Sequence, residues 1–288
     1  MRILVTGGLG RVGRYVVKDL VDAGHEVTNF DLPPLSMALK GKGIPYWSGS
    51  TVNVEDVYGV ITAAKPEAVV HLAAWADAGI VADTRTFSDN ISAVYNVLHV
   101  CASQGVKKVI VASSIQVYGF EKHAPDYVPV DEDHPVRPVN AYSMAKVAAE
   151  HVAQHFSHMY AMSILSFRIM GARSPGEIPA EIEEEIRTPE KKPSIFWTRV
   201  DSRDVAQACR KALEAKNVPT GAYNITGTEI VLADKSAALV RRFFPKTVVR
   251  PGLEARQSPL SCEKAKKVFG YQPKYPWSVS RQFPESTS

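Results

Sequence analysis

Tyr142 and Lys146 stand four residues apart, and Ser113-Ser114 closes an apolar run upstream of them. Far ahead of both, Gly7-Gly8-Leu9-Gly10-Arg11-Val12-Gly13 follows another apolar run. On a helix, positions i and i+4 share a face, so Tyr142 and Lys146 are expected side by side. An ammonium next to a phenol favours the phenolate and draws down a pKa that is ordinarily about 10. Such a phenolate is a general base for a secondary hydroxyl, with Ser114 hydrogen-bonding the reacting oxygen. That chemistry needs a partner to take the hydride.

The glycine segment supplies the place for one. Gly8, Gly10 and Gly13 satisfy G-x-G-x-x-G, with Gly7 ahead of them and Arg11 and Val12 inside the loop. Glycines let the backbone turn tightly and approach a pyrophosphate, and the helix that starts there aims free N–H groups at the phosphates. Asp31 ends the next strand 18 residues past Gly13, where a carboxylate can bind both hydroxyls of an adenosine ribose. It would repel a 2′-phosphate, and no Arg or Lys follows before Lys40, so NAD is expected over NADP. Arg11 is the one residue able to soften that preference.

These groups need a scaffold, and the apolar pattern describes one. Ile3 to Thr6 and His25 to Phe30 read as strands, the second closed off by Pro33-Pro34. Val12, Val16, Val17, Leu20 and Val21 recur at helical spacing between them, up to Gly24. Ala68 to Ala73, Lys108 to Ala112 and Met162 to Phe167 are three further buried strands. Helical periodicity fills Val54 to Ala64, Phe87 to Gln104 and Ala141 to His158. Strands alternating with helices predict an α/β fold with a parallel sheet covered on both faces.

Beyond residue 170 the texture changes. Pro175, Pro179, Pro189 and Pro193 cluster around the acidic run Glu181 to Glu185. A strand-like Ile195 to Thr198, a helix Asp201 to Ala215 and a strand Ala222 to Ile225 follow. Helices around Leu232 to Phe243 and Ser261 to Phe269 come next, and Gln282 to Ser288 reads as a frayed tail. The expected division is a dinucleotide-binding domain of residues 1–170 with 200–226. A small interleaved substrate-binding lobe, residues 171–199 with 227–288, would roof the sheet's carboxyl edge.

Of 288 residues, 45% are hydrophobic and 22% charged, a composition that excludes a disordered or fibrous chain. No apolar run approaches the ~18–20 residues that span a bilayer, so no membrane contact is expected. The net charge of +4 comes from scattered basic residues, which suits small anions and leaves no nucleic-acid footprint. Cys101, Cys209 and Cys262 are far apart and odd in number, which predicts free thiols. Glycines cut the N-terminal apolar stretch too early for a secretory signal, and the expected location is cytoplasmic. His151, His155 and His158 share a helix face, but without a fourth ligand they read as a polar stripe and not a metal site.

In their order, these segments resemble the extended short-chain dehydrogenases/reductases, the NAD-dependent epimerase/dehydratase family. The matching pieces are Thr-Gly-Gly-x-Gly-x-x-Gly from Thr6, His71-Leu72-Ala73-Ala74, Asp89-Asn90, Ser-Ser-x-x-Val-Tyr-Gly from Ser113, and Tyr142-x-x-x-Lys146. Lys264 to Pro273 is similar to the family's C-terminal helix. The resemblance implies a Rossmann-type doubly wound parallel sheet and NAD as cofactor. It also implies a catalytic triad of Ser114, Tyr142 and Lys146, in which Lys146 binds the nicotinamide ribose as well. By the same resemblance Leu72, Ala73 and Ala74 line the cofactor groove, and Asn90 sits beneath the triad as a structural or relay residue. A homodimer is implied too, built from a four-helix bundle with Val152, Phe156 and Met159 in its seam.

Departures from the family narrow the chemistry. Its dehydratases carry an Asp-Glu pair directly after the catalytic Ser or Thr, where this chain has Ile115 and Gln116, so dehydration is not expected. Its nucleotide-sugar epimerases typically carry an Asn at the position of Gly171 and an Arg at that of Trp197; Arg199 and Arg256 are the available replacements. Ser50 or Thr51 replaces an adenine-binding Asp. A short lobe, with Trp75, Gln116 and Arg173 facing the nicotinamide, suits a polyol, sugar or sugar acid, as in the family's short uronate and sugar dehydrogenases. The leading expectation is an NAD-dependent dehydrogenase/reductase acting on a sugar-like or sugar-acid secondary alcohol or carbonyl. A nucleotide-sugar 4-epimerase, similar to UDP-glucose 4-epimerase, is the alternative. A non-catalytic NAD(P)-sensing regulator is the minor one.

Overall fold

The computed structural model describes residues 1–32 and 43–276; Pro33-Pro34 and the tail Gln282 to Ser288 lie outside them. The first half runs β1 (Arg2–Thr6), α1 (Gly13–Asp22), β2 (Glu26–Asp31), β3 (Tyr46–Ser48), α2 (Val54–Ala64), β4 (Ala68–His71), α3 (Asp83–Ser103) and β5 (Lys108–Ser114). The second runs β6 (Tyr127–Val128), α4 (Ala141–Tyr160), β7 (Ser163–Ile169), β8 (Ala172–Arg173), α5 (Ile178–Arg187), β9 (Val200–Asp201), α6 (Ser202–Glu214), β10 (Gly221–Ile225), α7 (Ser236–Phe243), β11 (Val248–Val249) and α8 (Glu263–Phe269).

Seven strands form one parallel sheet in the order β10-β7-β5-β4-β1-β2-β3. Ile3, Leu4 and Val5 of β1 and Ala68, Val69 and Val70 of β4 are buried on both faces, as a central parallel strand requires. On one face, Val16, Val17 and Leu20 of α1 pack with Val205, Cys209 and Leu213 of α6. On the other, Val57 and Ile61 of α2, Val97 and Leu98 of α3 and Ala153 and Phe156 of α4 close the second core. The chain builds outward from β1 in one direction, then returns to place β4 on its other side. Between the carboxyl ends of these two strands a crevice must open, because their connections leave in opposite directions.

The alternating pattern anticipated six of these strands but not the edge strand β3, and the segments beyond residue 170 differ in three further places. The acidic run Glu181 to Glu185, for which no element was expected, lies within the helix α5. The strand-like Ile195 to Thr198 is instead the end of a 3₁₀ turn followed by Phe196 and Trp197, both with φ of +51°. Burial explains it: Trp197 packs against Phe243 and donates its Nε1–H to Pro189 O at 2.8 Å, which a regular strand would not permit. The helix expected from Leu232 starts at Ser236. Phe156, expected in a dimer seam, is buried between α3 and α4 under Tyr95 and Tyr160. No helix of the described residues is long and apolar enough to cross a membrane, and all three cysteines are free and buried.

Candidate active site

The glycine loop is built against the carboxyl ends of β1, β2 and β4. Gly7 has φ of +72°, and a Cβ there would lie 2.7 Å from Ala73 N. A Cβ at Gly13 would lie 2.1 Å from Gly7 O, so the first turn of α1 presses directly on the loop. At Gly10 the nearest atom is Gly7 O at 3.2 Å, and the loop there faces an open cleft. Gly8 is the exception among the expected cofactor residues, because it does not line the cleft. It packs on Asn29, to whose Oδ1 its N–H donates at 3.1 Å. Two residues further along the same face of β2, Asp31 accepts the Leu9 N–H at 2.9 Å and borders the cleft.

The cleft holds about 1270 Å³, more than the ~300–1,000 Å³ typical of a single small-ligand pocket. Gly7, Gly10, Arg11, Val12, Gly13 and Asp31 line one end, with Ser50 and Thr51 beside them. Leu72, Ala73 and Ala74 form a wall after β4. There Thr6 Oγ1 receives the Ala73 N–H at 3.3 Å and lies 2.7 Å from His71 Nδ1. Asn90 also lines the cleft, and its side chain clamps the backbone of Trp75, accepting its N–H at 2.8 Å and donating to its carbonyl at 3.1 Å.

Ser114, Tyr142 and Lys146 meet at the other end. Ser114 is the last residue of β5. Tyr142 and Lys146 occupy successive turns of α4, whose start is fixed by Asn140 and Ser143 capping each other at 2.8 and 3.1 Å. Lys146 Nζ donates to Ala112 O at 2.7 Å and lies 5.5 Å from the centre of the Tyr142 ring. The expectation of a depressed phenol pKa is reversed in the chain by itself. Burial pushes Tyr142 up to about 12, the Ser114 hydrogen bond opposes it, and the Asp77 carboxylate adds to the rise. Burial lowers Lys146 to about 8, with Glu150 opposing. Desolvation dominates both groups because each is buried and carries its charge at a cost.

Behind Lys146, Glu150 accepts from Ser113 Oγ at 2.6 Å and from Arg168 at 2.9 and 2.7 Å. Arg168 Nη1 continues to the Tyr118 hydroxyl at 3.0 Å. This fully paired network ties β5, α4 and β7 together directly under the triad.

Trp75, Gln116 and Arg173 all reach the cleft. The Trp75 Nε1–H donates to Asp89 at 2.8 Å and Arg85 lies over its ring. Arg173 is ion-paired to Glu181. Of the two replacement arginines, Arg199 lines the cleft, held by Glu181 and Glu185, whereas Arg256 pairs with Glu229 at 2.8 Å and is not on the wall. Sequence reasoning missed Asp77 and Glu121, which also line the cleft. It missed Asn29 as well, although its spacing of two from Asp31 put both on one face of a strand. Nothing in the pattern around Asp77 pointed to a role. Among the described residues no three His, Cys, Asp or Glu converge as metal ligands, and His151 and His155 are exposed.

With this geometry in place, comparison with known proteins is informative. The model of the NAD dependent epimerase/dehydratase family matches residues 3–226. The chain belongs to this family. A UDP-glucose 4-epimerase of Cyamopsis tetragonoloba is 26% identical over 324 aligned positions, covering 95% of this chain and 90% of that protein. The crystal structure of Thermus thermophilus UDP-glucose 4-epimerase in complex with NAD is 25% identical with a TM-score of 0.68, covering 95% of this chain and 94% of that one. A short-chain dehydrogenase/reductase superfamily protein from Agrobacterium tumefaciens with bound NAD has a TM-score of 0.73 at 23% identity, covering 96% and 93%, a likeness of fold. The family is NAD-dependent, and its extended short-chain dehydrogenase/reductase fold is the one described above.

Proposed function

We propose that the protein is an NAD-dependent oxidoreductase acting on a secondary alcohol or carbonyl of a sugar-like or sugar-acid molecule, with Ser114, Tyr142 and Lys146 as its triad. The observation that carries the reading is their convergence at one end of a cleft whose other end is the glycine loop and Asp31. The residues fit the dinucleotide: a Cβ at Gly7 or Gly13 would collapse the cradle, while Gly10 borders the cleft. Gly10, Arg11, Val12 and the free N–H groups of α1 would hold the pyrophosphate. Asp31 would hold the adenosine ribose and disfavour a 2′-phosphate. Leu72, Ala73, Ala74 and Asn90 would border the cofactor, and Lys146 the nicotinamide ribose. When bound, NAD supplies a hydride acceptor or donor at its nicotinamide.

Tyr142 takes the proton from the substrate hydroxyl, or returns it to the carbonyl oxygen in the reverse direction. Ser114 holds that oxygen. The Lys146 ammonium and the positive charge of bound NAD would both oppose the burial that raises the Tyr142 phenol, while Glu150 joins α4 to β7 through Arg168 and to β5 through Ser113. Trp75, Gln116 and Arg173 face the substrate, with the described part of the lobe, residues 171–199 and 227–276, as the roof. Tyr142→Phe is expected to lower turnover by at least ~10²-fold with the NAD affinity intact; undiminished turnover would remove the mechanism.

A second reading, a nucleotide-sugar 4-epimerase, draws support from relatives that carry that name over 95% of this chain. NADH accumulation from NAD and a sugar supports the first reading; interconversion of a UDP-sugar without net NADH supports the second. We also propose a cytoplasmic homodimer. Its support is the paired α3 and α4, which expose Tyr95, Met159 and Tyr160 by 49, 60 and 44%, together with three free, buried thiols.

A further inference from the structure

Asp77 follows the Trp75 turn after β4 and borders the cleft close enough to Tyr142 to bear on its proton. Its Oδ1 accepts from Gln116 Nε2 at 3.0 Å and from the Ala78 N–H at 2.9 Å. No described residue hydrogen-bonds its Oδ2. Gln116 follows Ser114 by two positions, donates its backbone N–H to Ser114 Oγ at 3.2 Å and accepts weakly from Asn140 Nδ2 at 3.5 Å. A carboxylate and an amide are therefore joined across the cleft beside the two groups that meet the reacting oxygen.

The cations around them are already committed. Every arginine lining the cleft is already ion-paired: Arg11 with Glu177, Arg85 with Asp89, Arg173 with Glu181, and Arg199 with Glu181 and Glu185. Asp77 and Glu121 line the same cleft, and neither has a salt bridge to a described residue. The two lysines of the wall are engaged as well, Lys146 Nζ on Ala112 O at 2.7 Å and Lys192 beside the Glu184 and Glu185 carboxylates, so an anionic group placed next to Asp77 would meet a carboxylate while each described cation of the wall already has a partner. Adjacent hydroxyls would instead donate to the open Oδ2 and bond with the Gln116 amide.

We infer that Asp77, positioned by Gln116, selects an uncharged, hydroxyl-rich substrate and rejects its counterpart that carries a carboxylate. This rests on the proposed oxidoreductase reading and narrows it from sugars and sugar acids to neutral sugars or polyols. Selection of this kind works through a repulsive element as much as through attraction.

The test compares D-glucose with D-glucuronate and D-galactose with D-galacturonate, on wild type and Asp77→Asn. The readouts are kcat/KM with NAD and equilibrium binding to the NADH-saturated protein, which cannot take hydride from an alcohol and so involves no turnover. The expected result is a preference for the neutral member of each pair of at least ~10-fold, since hydrogen bonds to a charged group are each worth about a tenfold or more. In Asp77→Asn the preference should shrink by a similar factor while NAD affinity holds. Preference for the uronates, or a ratio unmoved by Asp77→Asn in both readouts, would overturn the inference. Failure of the oxidoreductase reading looks different: NAD does not bind, or Tyr142→Phe leaves turnover unchanged.

Discussion

At the scale of single residues, Asp31 does two things with one carboxylate. It holds the Leu9 N–H at 2.9 Å, and so the shape of the glycine loop, and it presents its remaining lone pairs to the cleft. Asp31→Ala removes both. Hydrogen bonds to a charged group contribute ~1.5–3 kcal/mol, so NAD affinity should fall by about 10–100-fold, measured by titration calorimetry. NADP should lose less than NAD, because the repulsion of its 2′-phosphate disappears with the carboxylate. If wild type already binds the two cofactors equally, the role given to Asp31 is wrong. The reversed pKa of Tyr142 belongs at this scale as well: in a buried site, an ammonium aimed at a carbonyl oxygen does not outweigh desolvation.

At the scale of elements, the seam between β1 and β4 carries a pH-sensitive group. His71 is fully buried beside Thr6, and burial, aided by the Lys146 ammonium, lowers its pKa to about 3. The unfolded chain binds the proton near the ordinary 6.5, so between pH 6.5 and 3 the unfolded state holds more protons than the folded one. Stability from neutral His71 is thus fully present above pH 6.5 and declines as the pH falls toward 3, by up to ~1.4 kcal/mol per pH unit. His71→Gln should flatten that slope in urea midpoints measured from pH 7 to 4. An unchanged slope would show that His71 is not the group responsible.

At the scale of the whole molecule, the proposed lobe is tied to the glycine loop by polar contacts and not merely laid over it. Arg11 pairs with Glu177 at 2.9 Å, and Arg14 donates to Ser174 Oγ at 2.7 Å, joining the start of α1 to the segment before α5. Both arginines occupy the first turn of α1 or the loop before it, so two polar contacts join the glycine loop to residues 174–177. The outer face of α3 and α4 offers the apolar side chains Tyr95, Met159 and Tyr160 to a second copy. Sedimentation at micromolar concentration should therefore give a dimer, weakened by Met159→Glu; a monomer would remove that proposal.

Much of this was legible in the chain itself. Apolar runs four to six residues long, separated by helical periodicity, determined all of the parallel sheet but its edge strand β3, because a strand buried on both faces tolerates little else. The glycine spacing, Asp31, and the order of Ser114, Tyr142 and Lys146 determined where the candidate chemistry lies, since a helix places i and i+4 on one face wherever it packs. The tertiary structure alone decided what long-range burial and pairing control. Trp197 was turned into the core, Gly8 onto Asn29, Phe156 beneath Tyr95, and Asp77 beside Gln116. Periodicity reports which side chains must leave water; it carries no information about which distant partner each one meets.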